Sequence, residues 1–568
     1  MAEPVEWRAD GTPFSPRFQD RYRSVDGGLS QVRDVFLTGC GLPAAWRGAA
    51  RWCVLETGFG LGLNFLCTWQ AWRDDPLRPP QLHYLATEAW PADAADIRRN
   101  ASVDGELRPL GEELAQGWWG LEPGTHRIAM DGGRVLLTLL IGDSTASLRG
   151  LGRCADSVYL DGFGPDRNPG IWNPDALRAV ARCCRRDARL ASWTVAPAVR
   201  DGLTSAGFRV SEVERVPPAP GSIQAQLVHL PSRHVDAPVV GPARCTVIGA
   251  GLAGAAVARG LALRGWRVTV LDAGEGPAAG ASGVPAGLFA PHVSADDAVL
   301  SRLTRAGVRA LLNVLPGLLQ RGVDWDLSGV TQRHGDGTST QHETAGWLRP
   351  ARLVSALLAT PGITVAYGCR VQNPDVLDDD LTVVAAGFET VRLLRPGFPL
   401  QPVAGQVTSG PVHGAPAAPS PFNGHGHFLP ALPTGDGHLW LAGASFERDV
   451  SDVAVTDDLR ALHRDGNRQR LGELLPGLLP QLPAMFASAT DWRGVRATSP
   501  DRLPIVGPWD GGEGAPTWVC TALGARGMTL ALLCADLLVA RLHGEPLPVA
   551  PRLAEAVSTE RMRKRAAR

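Results

Sequence analysis

The sequence predicts an α/β protein built from two Rossmann-like units in succession. Two glycine-rich segments each follow an apolar strand and open a helix: ETGFGLGLNF at residues 56–65 and GAGLAG at residues 249–254. Residues 231–243 between them, PSRHVDAPVVGPA, are proline-rich and show no periodicity. We therefore expect one domain over residues 1–230, a linker over 231–243 and a second domain over 244–568.

Composition and charge limit the kinds of protein that the sequence can encode. The 568 residues are enough for roughly three to four domain-sized units. Hydrophobic residues make up 44% and charged residues 20%, which is typical of a globular enzyme. The net charge of −1 does not indicate a nucleic-acid binder, although local basic patches remain compatible with one. Lys564 is the only lysine and stands in a basic tail, which argues against pyridoxal phosphate chemistry.

The cysteines and the hydropathy pattern indicate a cytoplasmic protein. The ten cysteines are scattered, with no Cys-x-x-Cys pair and no Cys/His ligand spacing, so we expect reduced thiols and no metal. No run of about 18 apolar residues occurs, and the first residues lack an apolar segment. We therefore expect no membrane association.

The first unit opens on a glycine-rich turn of an unusual kind. Residues 1–50 are polar and aromatic, and we expect an irregular cap there. Arg51–Leu55 is a strand, and Glu56 follows it directly before the glycines. An acid at this position suits a ligand with a positive group, and S-adenosylmethionine carries an ammonium and a sulfonium. The residues expected to bind it here are Glu56, Gly58, Gly60, Gly62 and Asn64.

Two further strands of this unit also end on acids. Leu82–Thr87 ends at Glu88, which is placed to accept ribose hydroxyls, and Val135–Ile141 ends in Gly142 and Asp143. Rossmann-like methyltransferases often hold the adenine amino group at that point. Each acid alone is more often a solvated strand end, but three in strand order favour a methyltransferase.

The residues that act on the substrate should follow the next strand, Ser157–Leu160. That strand runs into DGFGP at residues 161–165, where amino-methyltransferases commonly have an Asn/Asp-Pro-Pro-aromatic turn. Asp161 would orient the target amine and Phe163 would pack on its ring; the alternative is a Gly/Pro loop with an incidental acid. Three more strands complete a seven-stranded sheet: Arg189–Trp193, Phe208–Val213 and Gln226–Leu230.

Two segments of this unit resemble a known family. ETGFGLGLNF and YLDGFGPDRNPGIW are similar to the methyltransferase half of the bifunctional tRNA 5-methylaminomethyl-2-thiouridine biosynthesis family. That family joins a methyltransferase to a flavin oxidase, and the present chain has the same order over nearly its whole length. The resemblance implies that the substrate is the wobble uridine of tRNA.

The second unit begins with a dinucleotide fingerprint. Strand Cys245–Ile248 leads into the turn, a helix of small residues follows over Ala255–Arg264, and strand Arg267–Leu271 ends on Asp272. The three glycines of the turn are Gly249, Gly251 and Gly254. They allow a tight turn, close approach of a pyrophosphate and close helix–strand packing, while the terminal acid accepts ribose hydroxyls. An ordinary βαβ crossover does not explain three glycines at this spacing.

The segment after the fingerprint resembles flavoproteins of the glycine/D-amino-acid oxidase type. Gly280-Ala-Ser282-Gly283 is similar to their loop beside the flavin, which implies contacts from Ser282 and Gly283. Residues 284–286, Val-Pro-Ala, replace the Asn-Arg-Gln that is usual in the bifunctional tRNA family. Residues 405–407, Gly-Gln-Val, resemble a strand of that family's substrate domain, which implies an inserted mixed-sheet subdomain.

A second glycine-rich helix start lies near the C-terminus. Strand Val519–Leu523 leads to a glycine-rich turn, GARGMT at residues 524–529, and then to helix Leu530–Leu542. Helix N-termini stabilise negative charge, so the turn suits the N1–C2=O end of a reduced flavin. The pair of distant glycine turns favours FAD over NAD. The residues expected to contact the flavin here are Gly524, Arg526, Gly527 and Met528.

Arg496 lies in a segment, residues 492–508, that resembles the strand and turn near the flavin ring in amine oxidases. In relatives that act on carboxylated amines, an arginine at this position binds the substrate carboxylate, for which guanidinium gives a bidentate match. Arg526 is a second candidate. A surface salt bridge is the alternative for either residue.

The resemblance therefore implies two reactions on tRNA. The flavin half would remove the carboxymethyl group from 5-carboxymethylaminomethyl(-2-thio)uridine, and the methyltransferase half would methylate the resulting primary amine. One alternative is a small-molecule glycine/sarcosine-type amine oxidase fused to an amine methyltransferase; another is an RNA-binding scaffold with relic cofactor sites. The arginines of residues 178–189 suit tRNA phosphates, or else a solvated helix face. We expect residues 1–236 and 237–568 to fold separately.

Overall fold

The computed structural model describes residues 2–24, 28–213, 221–229, 241–394, 398–414, 418–509 and 516–566. The chain divides into two compact units. The first comprises Met1–Gly241 with Ala540–Pro551, and the second comprises Pro242–Val539 with Arg552–Arg568. Residues 231–240 of the expected linker lie outside the described residues.

The first unit contains a twisted α/β sheet of eight strands among the described residues. Its elements are β4 (Trp52–Thr57), α2 (Leu63–Asp74), β5 (Leu82–Glu88), α3 (Ala94–Ala101), α4 (Leu107–Gly117), β6 (Gly124–Met130), β7 (Val135–Ile141), α5 (Ser144–Arg149), β8 (Ala155–Leu160), α6 (Pro174–Cys183), β9 (Cys184–Ser192), α7 (Pro197–Ser205), β10 (Phe208–Val213) and β11 (Ser222–Leu227). They follow an N-terminal group made of β1 (Glu6–Trp7), β2 (Pro13–Ser15), β3 (Asp20–Arg21) and α1 (Gly28–Gln31).

The strand order is β10-β11-β9-β8-β4-β5-β7-β6. The five central strands, β9 to β7 in that order, are parallel, because helices return the chain between them. Apolar side chains on both faces of the sheet are buried, with Phe65 and Tyr84 on one face and Leu55 and Leu177 on the other. Parallel strands bring their carboxyl ends to one edge, so the predicted strand-end acids meet there.

Three features of the first unit differ from the prediction. The last strand in sequence, β11, runs over Ser222–Leu227 instead of Gln226–Leu230. Strand β6 was not predicted; it adds antiparallel to β7 at the edge of the sheet. The N-terminal segment is a small antiparallel sheet, β1-β2-β3, instead of an irregular cap. Strands of two or three residues carry too little periodicity to be predicted from sequence.

The second unit combines a mostly parallel sheet, here named the nucleotide-binding sheet after the ligand that the sequence predicts for it, with a mixed sheet. Its strands are β12 (Arg244–Ile248), β13 (Arg267–Leu271), β14 (Gly287–Phe289), β15 (Trp325–Asp326), β16 (Val330–Arg333), β17 (Ser339–His342), β18 (Gly346–Leu348), β19 (Ile363–Ala366), β20 (Leu381–Val384), β21 (Gln401–Pro411), β22 (Phe422–Gly424), β23 (Gly426–Thr434), β24 (Gly437–Gly443), β25 (Glu447–Arg448), β26 (Thr490–Thr498), β27 (Ile505–Pro508) and β28 (Thr517–Thr521). The helices from this part of the chain to its C-terminus are α8 (Leu252–Ala262), α9 (Val299–Leu312), α10 (Leu315–Leu318), α11 (Pro350–Leu358), α12 (Thr390–Leu393), α13 (Asp457–Leu474), α14 (Leu482–Ala487), α15 (Gly527–His543), α16 (Pro551–Ala556) and α17 (Thr559–Ala566).

The nucleotide-binding sheet has the order β19-β13-β12-β20-β28-β27 and is parallel except for β27. The larger sheet has the order β17-β16-β22-β23-β24-β21-β25, and β26 also pairs with β21. It is antiparallel apart from the β16–β22 pair, so it is mixed, as predicted for the substrate subdomain. A three-stranded sheet, β14-β18-β15, completes the unit among the described residues.

The first unit includes Ala540–Pro551, although every strand of its sheet comes from residues before the linker. Arg185 donates to the Gly544 carbonyl at 3.0 Å, and the buried Arg127 donates to the Pro546 carbonyl. His83 Nε2 lies 3.4 Å from Glu545 Oε1, with both side chains buried. The C-terminal segment therefore supplies partners to charged groups in the interior of this unit.

We expect a fragment of residues 1–236 to unfold at a lower temperature than the first unit does in the full chain. Losing two hydrogen bonds from the arginine side chains costs on the order of 3–6 kcal/mol, because each such bond contributes about 1.5–3 kcal/mol. Thermal unfolding followed through S-adenosylmethionine binding measures the difference. In the full chain, Glu545→Ala should lower the midpoint, whereas Glu555→Ala at an exposed position should not. Equal midpoints for fragment and full chain would contradict this account.

Candidate active sites

The glycine turn of the first unit lies between β4 and α2. Gly58 has φ +81°, a left-handed conformation that side chains rarely adopt. A Cβ at Gly58 would lie 3.2 Å from the carbonyl oxygen of Asp161, so the turn also touches the loop after β8. Gly60 and Gly62 have positive φ as well, and Gly62 is the N-cap of α2. The turn therefore holds its shape through glycine, as the sequence predicted.

Glu56 is deeply buried at the end of β4, with 1% of its surface exposed. Its Oε1 accepts from Asn64 Nδ2 at 2.6 Å, and its Oε2 accepts from the Tyr84 hydroxyl at 3.0 Å. Burial, followed by the nearby charge of Asp161, raises the pKa of Glu56 well above its usual value. Both oxygens thus have protein donors, and the carboxylate anchors Asn64.

Asp161 follows β8 and shares Asn64 with Glu56. Asn64 Nδ2 donates to Asp161 Oδ2 at 2.7 Å, and the Gly162 amide donates to Oδ1 at 2.8 Å. Thr57 Oγ1 fixes the backbone by donating to the Asp161 carbonyl at 2.8 Å. Burial raises the pKa of Asp161 to about 6, although its hydrogen bonds oppose the shift. A carboxylate with this pKa is ionised at neutral pH and still accepts a proton readily.

Glu88 and Asp143 lie together at the same edge of the sheet. Glu88 accepts from the amides of Gly60 and Trp90, each at 2.8 Å, and the Gly142 amide donates to the Glu88 carbonyl at 2.9 Å. Asp143 is exposed and caps α5 by accepting from the Ala146 amide at 2.7 Å. Burial raises the pKa of Glu88. The structure thus brings the predicted acids of β4, β5, β7 and β8 to one edge.

Phe163 lies in an aromatic cluster that the sequence did not predict. Its ring stacks on Phe18 with centroids 4.6 Å apart and meets Tyr22 edge-on at 5.0 Å. Asp20 Oδ2 accepts from the Gly164 amide at 3.0 Å. The N-terminal segment therefore covers the loop after β8, and the only sequence signal for it was the aromatic and charged composition of residues 1–50.

In the glycine fingerprint of the second unit, Gly249 and Gly254 lie so close to backbone atoms that neither position has room for a side chain. A Cβ at Gly254 would lie 1.8 Å from the Gly249 carbonyl oxygen, and one at Gly249 would lie 2.5 Å from the Ala385 carbonyl oxygen. Gly251 is the N-cap of α8, whose N-terminus favours phosphate. Asp272 ends β13 and accepts from the Ala250 amide at 2.6 Å. These residues fit the pyrophosphate and ribose of FAD.

The other predicted flavin contacts cluster around the start of α8 and of α15. Ser282 Oγ accepts from the Leu252 amide at 3.0 Å, and a Cβ at Gly283 would lie 2.7 Å from the Ala278 carbonyl oxygen. Gly524 has φ +56° and opens a 3-10 turn, and α15 begins at Gly527. The other two residues predicted to contact the flavin are Met528, whose side chain touches Gly287, and Arg526, whose pKa is lowered by burial.

Arg496 lies on β26, paired with Val403 of β21. Its Nη2 donates to the Ser445 carbonyl at 3.2 Å, and its guanidinium lies 4.4 Å from the centre of the Phe446 ring. Within the part of the chain that the structure describes, no carboxylate forms a salt bridge with Arg496 or Arg526. Neither arginine therefore forms the surface salt bridge that was the alternative explanation for it. Burial lowers the pKa of Arg496 to about 10, so the side chain stays charged at neutral pH.

His427 on β23 is a neighbour of Arg496 that sequence reasoning missed. Burial and the charge of Arg496 lower the pKa of His427 to about 4, so its imidazole is neutral at pH 7. With the His427 imidazole neutral, Arg496 is the cationic member of this pair of side chains. No periodicity or spacing marks this histidine in the sequence.

Among the described residues, no group of three or more His, Cys, Asp or Glu side chains is arranged to hold a metal ion. In the same residues, no helix has the length and apolar character required to cross a membrane. The cysteines are free thiols, and all except Cys369 are buried.

Two families match the chain, one in each half. Residues 105–227 match an S-adenosyl-L-methionine-dependent methyltransferase family, and residues 244–340 and 335–541 match an FAD dependent oxidoreductase family. Both agree with the predicted fold classes and cofactors.

Several relatives that match over nearly the full length are named tRNA 5-methylaminomethyl-2-thiouridine biosynthesis bifunctional protein MnmC. The protein from Paracidovorax citrulli is 46% identical over 99% of this chain and 100% of its own length. The protein from a Polaromonas species is 47% identical over 98% of each chain, and the one from Ralstonia nicotianae is 35% identical over 98% of this chain and 97% of its own.

Among solved structures, glycine oxidase from Geobacillus kaustophilus is similar to 55% of this chain and 97% of its own, with 17% identity and a TM-score of 0.46. MNMC2 from Aquifex aeolicus is similar to 41% of this chain and 73% of its own, with 20% identity and a TM-score of 0.34.

Proposed function

Because this chain belongs to the family of tRNA 5-methylaminomethyl-2-thiouridine biosynthesis bifunctional proteins, we propose that it carries out two successive reactions on the wobble uridine of tRNA. It joins an S-adenosylmethionine-dependent methyltransferase to an FAD-dependent oxidoreductase. The oxidoreductase half removes the carboxymethyl group from 5-carboxymethylaminomethyl(-2-thio)uridine and leaves the primary amine. The methyltransferase half then converts that amine to 5-methylaminomethyl(-2-thio)uridine, which is the reaction of a tRNA (5-aminomethyl-2-thiouridine)-methyltransferase.

In the oxidoreductase half, the protein's task is to bind and align the substrate. Bound FAD supplies the two-electron oxidation of the carbon–nitrogen bond. Arg496 would hold the carboxylate of the carboxymethyl group through a bidentate pair, with Arg526 as a second cation at the start of α15. This fixes the C–H bond beside the nitrogen in one orientation. Hydrolysis of the resulting substrate imine by water yields the primary amine and glyoxylate.

In the methyltransferase half, Asp161 would bind the target amine and accept its proton. An alkylamine is protonated in water, so methylation requires a group that takes the proton and frees the nitrogen lone pair before nitrogen attacks the methyl group. Asn64 would hold Asp161 in place, and Glu56 would hold Asn64. We assign the ribose hydroxyls of S-adenosylmethionine to Glu88 and its adenine to Asp143, on the turn formed by Gly58, Gly60 and Gly62.

The observation that carries this function is Arg496, whose side chain is half-buried and has no acidic partner among the described residues. A buried charge left unpaired is costly, and such groups concentrate at binding sites for an opposite charge. The same residue would suit a small-molecule glycine or sarcosine oxidase. Relatives of this chain over its full length bear the tRNA biosynthesis name, which favours the tRNA substrate.

Purified protein loaded with FAD tests both reactions in one tube. Incubated with tRNA bearing the carboxymethylaminomethyl group and no methyl donor, it should stop at the primary amine. Addition of S-adenosylmethionine should carry the nucleoside on to the methylaminomethyl form. Oxidation of free glycine or sarcosine at a higher kcat/KM than the tRNA would favour the small-molecule function instead.

We propose a pH dependence for the methylation step that follows from Asp161. Its raised pKa of about 6 means that the ionised form is present above that pH and is lost as the pH falls through it. In a plot of rate against pH, methylation of a primary-amine tRNA should therefore change slope near pH 6, and the rate should fall more steeply below that pH. Single-turnover rates between pH 5 and 8 measure this. Asp161→Asn should remove this change of slope; a change of slope that persists in that variant assigns it to another group.

We further propose how the chain is divided and where it contacts tRNA. Residues 1–230 would form the methyltransferase domain, 231–243 the linker and 244–568 the oxidoreductase domain, with Ala540–Pro551 contributing to the first compact unit. Exposed arginines on α5 and α6 surround Asp175, lower its pKa and suit backbone phosphates; they are Arg149, Arg178 and Arg182. The protein would act in the cytoplasm, where its tRNA substrate is found.

A further inference from the structure

The N-terminal segment of residues 13–23, here named the strap, lies against both parts of the methylation site. Asp20 Oδ2 accepts from the Gly164 amide at 3.0 Å, which joins the strap to the loop after β8. Tyr22 packs against the glycine turn, since a Cβ at Gly60 would lie 3.3 Å from Tyr22 Cδ1. The strap therefore spans from the methyl-donor turn to the loop that carries Asp161.

Three aromatic rings meet where the strap touches that loop. Phe18 and Phe163 are stacked with centroids 4.6 Å apart and an interplanar angle of 23°, and Tyr22 meets Phe163 edge-on at 67°. All three side chains are only half-buried, so the cluster lies at the surface. Phe163 is two residues from Asp161, and its carbonyl accepts from Trp172 Nε1 at 2.8 Å, which fixes the loop.

We propose that Phe18 and Tyr22 of the strap join Phe163, which the sequence already predicts to pack on the target's ring, in forming the surface on which the pyrimidine ring of the target nucleoside stacks. The inference rests on the proposed function and adds the strap to the methylation site. An aminomethyl group is short, so the ring that bears it must come within a few ångströms of the rim around Asp161 when its nitrogen reaches the carboxylate. Bases of single-stranded loops are commonly held by stacking on aromatic side chains, which recognises the ring without pairing it.

The acidic groups near this surface favour a ring that carries an ammonium group. Asp161 is two residues from Phe163 in the same loop, and the charge of Glu88 contributes, after burial, to raising the pKa of Tyr22. A ring that carries one ammonium group is attracted by the Asp161 carboxylate, which is ionised at neutral pH. Phe14 provides a comparison, because it lies on the same strap and is half-buried but packs under the guanidinium of Arg8 at 3.9 Å.

The test is binding of an anticodon stem-loop that contains 5-aminomethyl-2-thiouridine to the full-length protein saturated with S-adenosylhomocysteine. Phe18→Ala should raise the Kd about 5- to 100-fold, the range that loss of one stacked base gives. Phe18→Trp should restore binding to within a few-fold of wild type, and Phe14→Ala should leave the Kd unchanged. The Kd for S-adenosylhomocysteine and the unfolding temperature should stay the same in all three variants.

Several results would overturn the inference. One is a Kd for Phe18→Ala within twofold of wild type; another is restoration by Phe18→Leu as complete as by Phe18→Trp, which would make the ring a packing element. Equal loss of S-adenosylhomocysteine binding would assign the strap to the methyl donor. The wild-type methylation rate on the same stem-loop, measured separately, tests the proposed function. Binding without methylation would refute that function, whereas the Kd values of the Phe18 variants would still decide whether the base stacks on the strap.

Discussion

Replacing Asp161 with asparagine is expected to reduce methylation of a primary-amine tRNA by about 10²–10⁴-fold, the usual range for loss of a general base. The change keeps the size of the side chain and its contact with Asn64, but it removes the proton acceptor from the loop after β8. Removal of the carboxymethyl group should continue at the wild-type rate, so the primary-amine nucleoside should accumulate. Liquid chromatography of digested tRNA from a timed reaction measures both steps.

Asp166→Asn is the matched control, because this residue lies in the same loop with its side chain 78% exposed. We expect normal methylation from that variant. Methylation by Asp161→Asn at near the wild-type rate would mean that the amine is held elsewhere. The assignment of Asn64 and Glu56 as supports for Asp161 would then also be lost.

Replacing Arg496 with alanine is expected to give the opposite pattern. Oxidation of the carboxymethylated tRNA should fall by about 10²–10⁴-fold in kcat/KM, since two hydrogen bonds from a charged group contribute about 3–6 kcal/mol together. Methylation of a primary-amine tRNA supplied directly should be unchanged. Arg496→Lys should recover little activity, because an ammonium lacks the bidentate geometry of guanidinium.

Arg448→Ala is the control for this variant. Arg448 on β25 and Arg496 on β26 both pair with Val403 of β21, from opposite sides, and Arg448 is exposed. Flavin absorbance should be retained in both variants, which shows that the cofactor site is intact. If Arg496→Ala oxidises the tRNA normally, the carboxylate is bound by another cation, and Arg526 becomes the first candidate.

The strand-end acids show what the sequence can predict. Glu88, Asp143 and Asp161 each follow a strand of a parallel sheet, and such strands end at one edge, so their proximity follows from the strand pattern. Their hydrogen bonds do not follow from it. The donation of Tyr84 to Glu56 depends on side-chain packing inside the sheet, which no spacing encodes. The sequence predicted that Glu56 faces a ligand. In the structure its two carboxylate oxygens accept hydrogen bonds from Asn64 and Tyr84.

The other features that the sequence did not predict depend on contacts between residues far apart in the chain. The strap is built from strands of two or three residues, which carry no readable period. Glu545 and its neighbours lie more than 450 residues along the chain from His83, and nothing in either local sequence marks the pair. Arg496 was predicted only through a family resemblance, because an arginine on a strand is most often solvated.

The central claim is that this chain performs the two modifications in order and at separate sites. Mass spectrometry of tRNA nucleosides from a strain that lacks the protein tests it most directly. Such tRNA should accumulate the 5-carboxymethylaminomethyl form; complementation with Asp161→Asn should shift it to the primary amine, and only the wild-type chain should restore the methylaminomethyl nucleoside. Unchanged wobble uridines in the deletion strain, or the same accumulated nucleoside with Asp161→Asn and with Arg496→Ala, would contradict the account.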